Sequence, residues 1–570
     1  MNYNIAHSLS LMAEAHPHQE AVIFPEGRDA MGRVAYTRLT YQQLEVASNR
    51  MARGLMAYGI GGGMRTAFLV KPSLEFFITT FALFKAKAVP VLIDPGIGLR
   101  NMRRCLSESQ AEAFVGIPAA HAARILFRWK GGGWKRRVTI SRRALFGGLS
   151  LSDLEKAGDQ NQSVPLEPAR EHELAAILFT SGSTGAPKGA VYTHGNFLAQ
   201  VRLLKDTLGI QPGEKDLCTF PLFALFAPAL GMSAVIPEMD FTRPKEVDPE
   251  KIAEAIHNFG ISNMFGSPAL IKTVANYGVE RNWHFPTLRR VISAGAPVQA
   301  TVIAQFRRLL NEECFLYTPY GATESLPLAI AESHMLLRET SALTDKGQGI
   351  CVGTVVPRTD VRIIHISDQP IANWDPELEL PQGKIGEVVV SGEQVTATYY
   401  QRESATQLAK IRDPATGRIW HRMGDLGYFD DAGRLWFCGR KSHRVQTQDG
   451  DLFTINCEGV FNKHPLVART ALVGLGQTGA EKPLLCVEPK KSLTREEETQ
   501  LFIDLKRLGA AHEHTRNIKL FLTHESFPVD IRHNAKIFRE KLKSWAEAQW
   551  RKKSLSPAGA AFLEKPSSNN

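Results

Sequence analysis

Leu178-Phe179-Thr180-Ser181-Gly182-Ser183-Thr184-Gly185-Ala186-Pro187-Lys188-Gly189 is the stretch on which the reading of this 570-residue chain turns. An apolar, strand-like run enters a loop of small residues. Unpaired backbone N–H groups in such a loop can wrap an anion. Gly182, Gly185 and Gly189 permit close backbone approach. The hydroxyls of Thr180, Ser181, Ser183 and Thr184 add donors, and Lys188 adds a fixed positive charge. The P-loop spacing G-x-x-x-x-G-K-S/T is absent, so a phosphate site here is of another kind. By itself the run reads more readily as a flexible Gly/Ser loop than as a phosphate site.

The flanks set the loop in an α/β frame. Leu44, Ala47, Met51 and Leu55 recur at helical spacing, and Arg65 to Val70 reads as a buried strand. A helical Leu74 to Lys85 precedes a strand at Val89 to Ile93; Lys251 to Phe259, Val291 to Ser293 and Thr301 to Leu310 continue the alternation. Helices and strands in turn imply mostly parallel strands in layers. Gly427 to Gly439 alternates around Asp430-Asp431-Ala432-Gly433 and predicts a β-hairpin. Beyond it a polar stretch, Arg440 to Asp451, leads into a run sized for a small α+β unit. The expected boundaries are therefore 1–440 and 441–570, with a frayed tail from Ser554.

Composition narrows the class. Apolar residues make up 44% and charged residues 22%, which argues against wholesale disorder. Seven dispersed cysteines without metal-ligand spacing predict reduced thiols and a cytoplasmic setting. The most apolar stretch, Phe76 to Ile93, is broken by Lys85, Lys87 and Pro90, so no transmembrane segment is expected. The net charge of +10 is concentrated: Ala113 to Ser152 holds eight cations and no Asp or Glu. The sequence reading of its core, Arg124 to Arg143, is a solvated, partly disordered insertion. A docking surface for partners or anionic lipid is the alternative, and no nucleic-acid motif accompanies the charge.

Further motifs occur in order: Ala294-Gly295-Ala296-Pro297, Tyr320-Gly321-Ala322-Thr323-Glu324, Gly424-Asp425-Leu426-Gly427 and Gly439-Arg440. With the loop at Thr180 to Lys188 they resemble the adenylate-forming superfamily of acyl-CoA synthetases, peptide-synthetase adenylation domains and luciferase. The resemblance runs from Leu39 to Arg539. It implies a large N-terminal α/β domain, a small mobile C-terminal α+β domain, and ATP with Mg²⁺ as cofactors. By the same resemblance Ser181, Gly182, Ser183, Thr184, Gly185 and Lys188 hold phosphate, and Gly295, Ala296 and Pro297 form the adenine turn. Tyr320, Gly321 and Thr323 would meet the base and α-phosphate, Asp425 the ribose, and Arg440 would open the hinge. Glu324 would hold the metal. In Arg532-His533-Asn534-Ala535-Lys536, Lys536 takes the place of the catalytic lysine, with Thr180 and Glu324 as catalytic partners. Singly, each residue has a plainer reading: core packing for Tyr320, a turn for Asp425, solvated surface for Glu324 and Lys536.

Three departures bear on the step after adenylation. Ala224 stands where a His is common, Ser442 stands at the hinge position of Asp or Lys, and Gln446 to Asp451 runs about one residue long. Ala535 also replaces the usual glycine before the lysine. Together these resemble one branch, the β-lactone synthetases of bacterial long-chain olefin biosynthesis. That implies a long-chain 2-alkyl-3-hydroxy acid as substrate, Leu222 to Met232 in its alkyl pocket, and a complex with other enzymes of that route. A conventional fatty-acyl-CoA or acyl-AMP ligase is the alternative; a non-catalytic nucleotide-binding scaffold is the other.

Overall fold

Thr40 opens the first long helix: its hydroxyl accepts from the Gln43 N–H at 3.2 Å, and the Gln43 side chain accepts from the Thr40 N–H at 2.9 Å. This reciprocal cap satisfies two otherwise orphaned donors. The helix, Tyr41–Ala57, buries Leu44, Met51 and Leu55 on one face. The computed structural model describes residues 2–144, 146–180, 187–220, 224–529 and 537–554.

Three sheets carry the chain. The first orders its strands Leu149–Ser150, Arg136–Thr139, Ala113–Gly116, Arg65–Leu69, Val89–Ile93, Leu174–Thr180 and Lys188–Thr193, the last alone antiparallel. The second has a parallel core of Ser233–Val235, Lys215–Cys218, Asn263–Phe265, Arg290–Ile292 and Phe315–Ala322. It then turns antiparallel through Ser325–Glu332, Ile350–Val355, Leu435–Arg440, Ile419–Phe429, Gly386–Gly392 and Thr359–Ile364. A third sheet, Val467–Leu475, Lys482–Pro489 and Leu520–Thr523, is flanked by the helices Thr454–Asn462, Arg495–Ala510 and Arg539–Ser554. Two of the apolar clusters are built wholly of residues from Val445 onward.

The hairpin around Asp430 forms as expected, its turn held by the Asp430 carboxylate accepting from the Ala432 and Arg434 N–H groups at 3.0 and 2.8 Å. The polar stretch after Arg440 folds into a second hairpin, Val445–Thr447 with Gly450–Leu452. One expectation fails: the basic stretch is not a solvated, partly disordered insertion. Its strand Arg136–Thr139 pairs with Ala113–Gly116, and Trp129 is buried among Met102, Cys105 and Phe114. The glycines there are needed for contact: a Cβ at Gly132 would lie 2.5 Å from the Gln110 carbonyl oxygen, and one at Gly131 2.6 Å from the Trp134 ring.

Lys85, which interrupts the apolar run at Phe76 to Ile93, is buried at the end of the helix Leu74–Lys85. Its ammonium donates to Glu45 Oε2 at 2.6 Å, Ser48 Oγ at 2.8 Å and Asn49 Oδ1 at 2.7 Å, all on the helix Tyr41–Ala57. Burial pulls its pKa down to about 8. Removing one partner of a buried pair strands the other, and Lys85, 6% exposed against 18% for Glu45, is the costlier group to strand. Glu45→Ala should therefore cost about 3 kcal/mol of stability, and Lys85→Met less than half as much, measured by urea denaturation. Equal losses in the two variants would remove the pair from this role.

Candidate nucleotide and acyl site

Parallel strands of both large sheets end on one cavity of about 1370 Å³. This is where open α/β sheets bind ligands, outside the carboxyl ends of the strands. Glu324 sits in the turn between Phe315–Ala322 and Ser325–Glu332, with only 9% of its surface exposed. The Tyr399 hydroxyl donates to its Oε1 at 2.6 Å, and the Thr396 N–H donates to its carbonyl at 2.9 Å. Tyr192 donates its hydroxyl to the neighbouring Thr323 carbonyl. Burial, with the Glu324 charge added, pushes the Tyr399 phenol far above its usual range. Tyr399 thus remains a donor at every working pH.

Two ammonium groups flank that phenol ring, Lys188 Nζ at 5.1 Å and Lys410 Nζ at 6.0 Å from its centre. Lys410 is buried and donates to the Thr396 carbonyl; desolvation brings its pKa down to about 7. Opposite, the Tyr320 hydroxyl donates to Asp425 Oδ2 at 2.6 Å, and Arg440 Nη1 stands 3.0 Å from Asp425 Oδ1. The Asp425 charge holds the Arg440 guanidinium above its usual pKa. His421 also lines the cavity. Its Nδ1 lies 3.1 Å from the Ala409 carbonyl. A carbonyl has no proton to give, so Nδ1 carries it; burial keeps the ring neutral.

The structure gathers Lys188, Gly295, Ala296, Pro297, Tyr320, Gly321, Thr323, Glu324, Asp425 and Arg440 around this cavity. Gly295 follows the strand Arg290–Ile292 with φ +99°, open to glycine alone at little strain. Thr180 closes the strand Leu174–Thr180, pairing with Lys188 across the hairpin, but its side chain lies outside the described residues. So do Ser181, Gly182, Ser183, Thr184, Gly185, Leu222 and Lys536. Ile537 and Arg539, just beyond Lys536, line the same cavity, and Ser442 faces it. Ala224 is buried in the core, and Phe226 rather than Ala224 is on the cavity wall. A methyl group is too short to reach it.

Away from the polar end the wall is apolar: Leu204, Leu208, Phe226, Leu230 and Met232. The length fits an alkyl chain. Tyr399, Lys410, His421 and Asp216 escaped the sequence reading, since none sits in a glycine-rich or periodic stretch. Among the described residues no three of His, Cys, Asp or Glu converge as a metal cage. A single buried carboxylate beside a phosphate-binding cation suits Mg²⁺, which takes few protein ligands and shares substrate phosphates. The donor set therefore fits that ion.

A family model for AMP-binding enzymes matches residues 10–400. The chain belongs to the AMP-binding enzyme family. It is 48% identical over 550 residues to the olefin beta-lactone synthetase of Xanthomonas campestris, covering 96% of this chain and 98% of that one. It is 49% identical over 556 residues to the olefin beta-lactone synthetase of Stenotrophomonas maltophilia, covering 96% and 99%. Among solved structures, the amide bond synthetase McbA from Marinactinospora thermotolerans matches with TM-score 0.75 at 21% identity, over 95% of this chain and 99% of that one. Members of this family consume ATP, so the chain is an ATP-dependent, AMP-forming enzyme.

Asp216 lines the cavity, accepting from Asn263 Nδ2 and, at 3.1 Å, from Cys218 Sγ. Burial raises its pKa from 3.8 to about 6. The neutral acid stabilises the fold fully below the unfolded value, and that contribution is lost as pH rises through the folded value. Asp216→Asn keeps the shape and cannot ionise. Relative to wild type it should gain up to ~3 kcal/mol of stability between about pH 4 and pH 7, read from denaturation midpoints. A pH-independent difference would refute the burial of an ionising group here.

Proposed function

We propose that this enzyme closes a β-lactone from a 2-alkyl-3-hydroxy fatty acid, in long-chain olefin biosynthesis. The observation that carries it is one cavity joining a charged nucleotide end to an apolar wall, in a chain sharing 48% and 49% of its residues, nearly end to end, with two olefin beta-lactone synthetases. The conventional acyl-CoA ligase reading rests on weaker likeness: the feruloyl-CoA synthase of Amycolatopsis is 27% identical over 77% of the chain.

Each residue then has a task. Asp425, held by Tyr320 and Arg440, accepts hydrogen bonds from the ribose hydroxyls. Gly295 to Pro297 flank the adenine, and the loop from Thr180 to Lys188 wraps the phosphates. Glu324 would hold Mg²⁺, which when bound would neutralise charge on the triphosphate. The substrate carboxylate attacks the α-phosphorus as the bond to pyrophosphate breaks. Lys536 places its ammonium between the two anions, where attraction grows as they approach. The substrate's own β-hydroxyl oxygen then attacks the acyl carbon, the acyl–oxygen bond to AMP breaks, and the hydroxyl proton is released. Held beside the carbonyl, that hydroxyl replaces an external thiol, and the apolar wall excludes competing water.

Lys536 lies in the C-terminal stretch and the phosphate loop in the N-terminal one. We therefore read 1–440 and 441–570 as two units turning about Ser442. All seven cysteines are buried and unpaired, which supports a cytoplasmic setting. A complex with other enzymes of the olefin route is part of the same reading.

Lys536→Ala should slow adenylation at least about 100-fold while ATP binding changes little, because its charge acts in the transition state. Pyrophosphate release and equilibrium nucleotide binding measure the two; a wild-type rate would displace Lys536 from the site. The second half-reaction has its own test. A 2-alkyl-3-hydroxy acid labelled with ¹⁸O in the hydroxyl, given Mg-ATP and no CoA, should yield a lactone with label in the ring oxygen. An acid lacking that hydroxyl should stall as adenylate. Label recovered in AMP, or an absolute requirement for CoA, would overturn the proposal.

A further inference from the structure

The basic stretch has no part in adenylation or ring closure, and its packing holds it in an unusual pose. The helix Pro118–Leu126 lays Ala120 and Ala123 on the first sheet, in the cluster that also takes Met102 and Cys105 of the helix Leu99–Ser109. At its end Ile125, Leu126 and Phe127 project outward, exposed by 56%, 75% and 40%. They are not a loose loop tip. Arg128 turns the chain in the left-handed region at φ +48°, and Trp129 plunges back into the core, its backbone N–H donating to the Arg124 carbonyl at 2.9 Å. The buried indole, with the Phe127 ring stacked on it at 6.2 Å, fixes Ile125 and Leu126 in solvent and leaves Phe127 partly exposed beside them.

The chain on either side of this triad is cationic. Arg128 and Lys130 are exposed beside it, and Arg100, Arg103 and Arg104 face solvent on the neighbouring helix. Among the described residues none of these five has a carboxylate partner. Between Ala113 and Ser152 there is no acidic residue at all. Arg136, by contrast, is engaged within the chain, its Nε donating to the Tyr58 carbonyl at 2.6 Å. Exposed apolar residues followed along the chain by unpaired, exposed cations match the two requirements of an anionic bilayer surface, apolar insertion and attraction to phosphate headgroups.

We propose that this face, centred on Ile125, Leu126 and Phe127, docks the enzyme on anionic phospholipid membranes. An acidic protein would satisfy the cations but leave the triad wet; a bilayer satisfies both. If the substrate is the two-chain hydroxy acid, it partitions into the same bilayer, but the docking itself rests only on this surface.

Co-sedimentation of the full-length protein with vesicles tests it. Binding should be strong to mixed phosphatidylcholine–phosphatidylglycerol vesicles, weak to phosphatidylcholine alone, and lowered by salt. Ile125→Ser/Leu126→Ser/Phe127→Ser and, separately, Arg128→Glu/Lys130→Glu should each weaken binding ~10-fold or more. Both alter exposed side chains only, so pyrophosphate release with a short-chain hydroxy acid in vesicle-free buffer should be unchanged and confirms folding. If wild type fails to prefer anionic vesicles, the proposal fails. It fails equally if the serine variant binds as wild type does, the outcome expected of a purely electrostatic contact with an acidic protein.

Discussion

Two carboxylates lie below the surface of a cavity that receives a polyanion, and the rest of the site answers to that placement. Glu324 and Asp425 are each held by a tyrosine hydroxyl at 2.6 Å. Burying an anion without donors is prohibitive, and a phenol supplies a donor without adding charge. The arrangement also stitches distant parts of the chain: Tyr320 reaches Asp425 across 105 positions, and Tyr399 reaches Glu324 across 75. Cations then fill the remaining directions, Arg440 beside Asp425 and Lys188 with Lys410 on the ring of Tyr399.

The local order of the motifs was legible because each sits where a strand ends. Gly295 needs a positive φ that only glycine takes cheaply. A Cβ at Gly321 would lie 2.5 Å from the Ser325 carbonyl oxygen, so the Tyr-Gly pair is imposed by the hairpin that carries Glu324. Such constraints are written in residue identity. Tyr399 and Lys410 carry no such mark. Their roles come from folding strands together far along the chain, and nothing in the spacing of Thr396, Tyr399 and Lys410 distinguishes them from ordinary sheet residues. The basic stretch misled for the opposite reason. Its composition, glycines and arginines together, is that of a solvated insertion, but the glycines serve close packing against Gln110 and Trp134, and the tryptophans serve the core.

The departures around the hinge show how the same fold can be tuned. Lys441 is not free to act in place of the missing charged hinge residue: its ammonium donates to the Ser367 carbonyl at 2.6 Å and to Glu387 at 3.1 Å. Glu387 in turn is clamped by Arg422, both almost wholly buried. The last residue before Ser442 is therefore anchored to the large sheet, while the hairpin Val445–Thr447 with Gly450–Leu452 begins the next packing unit two residues beyond the short helix Lys441–His443. On the two-unit reading proposed above, rotation would be confined to the few bonds around Ser442. A hinge with a small uncharged side chain between two anchored elements has no need to form and break an ion pair as it turns.

That economy suits a reaction with an internal nucleophile. An enzyme that must admit a second, bulky thiol has to open a tunnel and present a new face after adenylation. In the proposed reaction the hydroxyl that attacks arrives with the carboxylate it attacks, so the cavity can remain closed to water between the two steps. The apolar wall at Phe226, Leu230 and Met232 and the neutral, buried imidazole of His421 are compatible with that closure. Water would be the faster nucleophile if it entered, because closing a four-membered ring carries strain that hydrolysis does not. Exclusion of solvent, rather than recruitment of a partner, is then the property that separates this chemistry from thioester formation on the same scaffold.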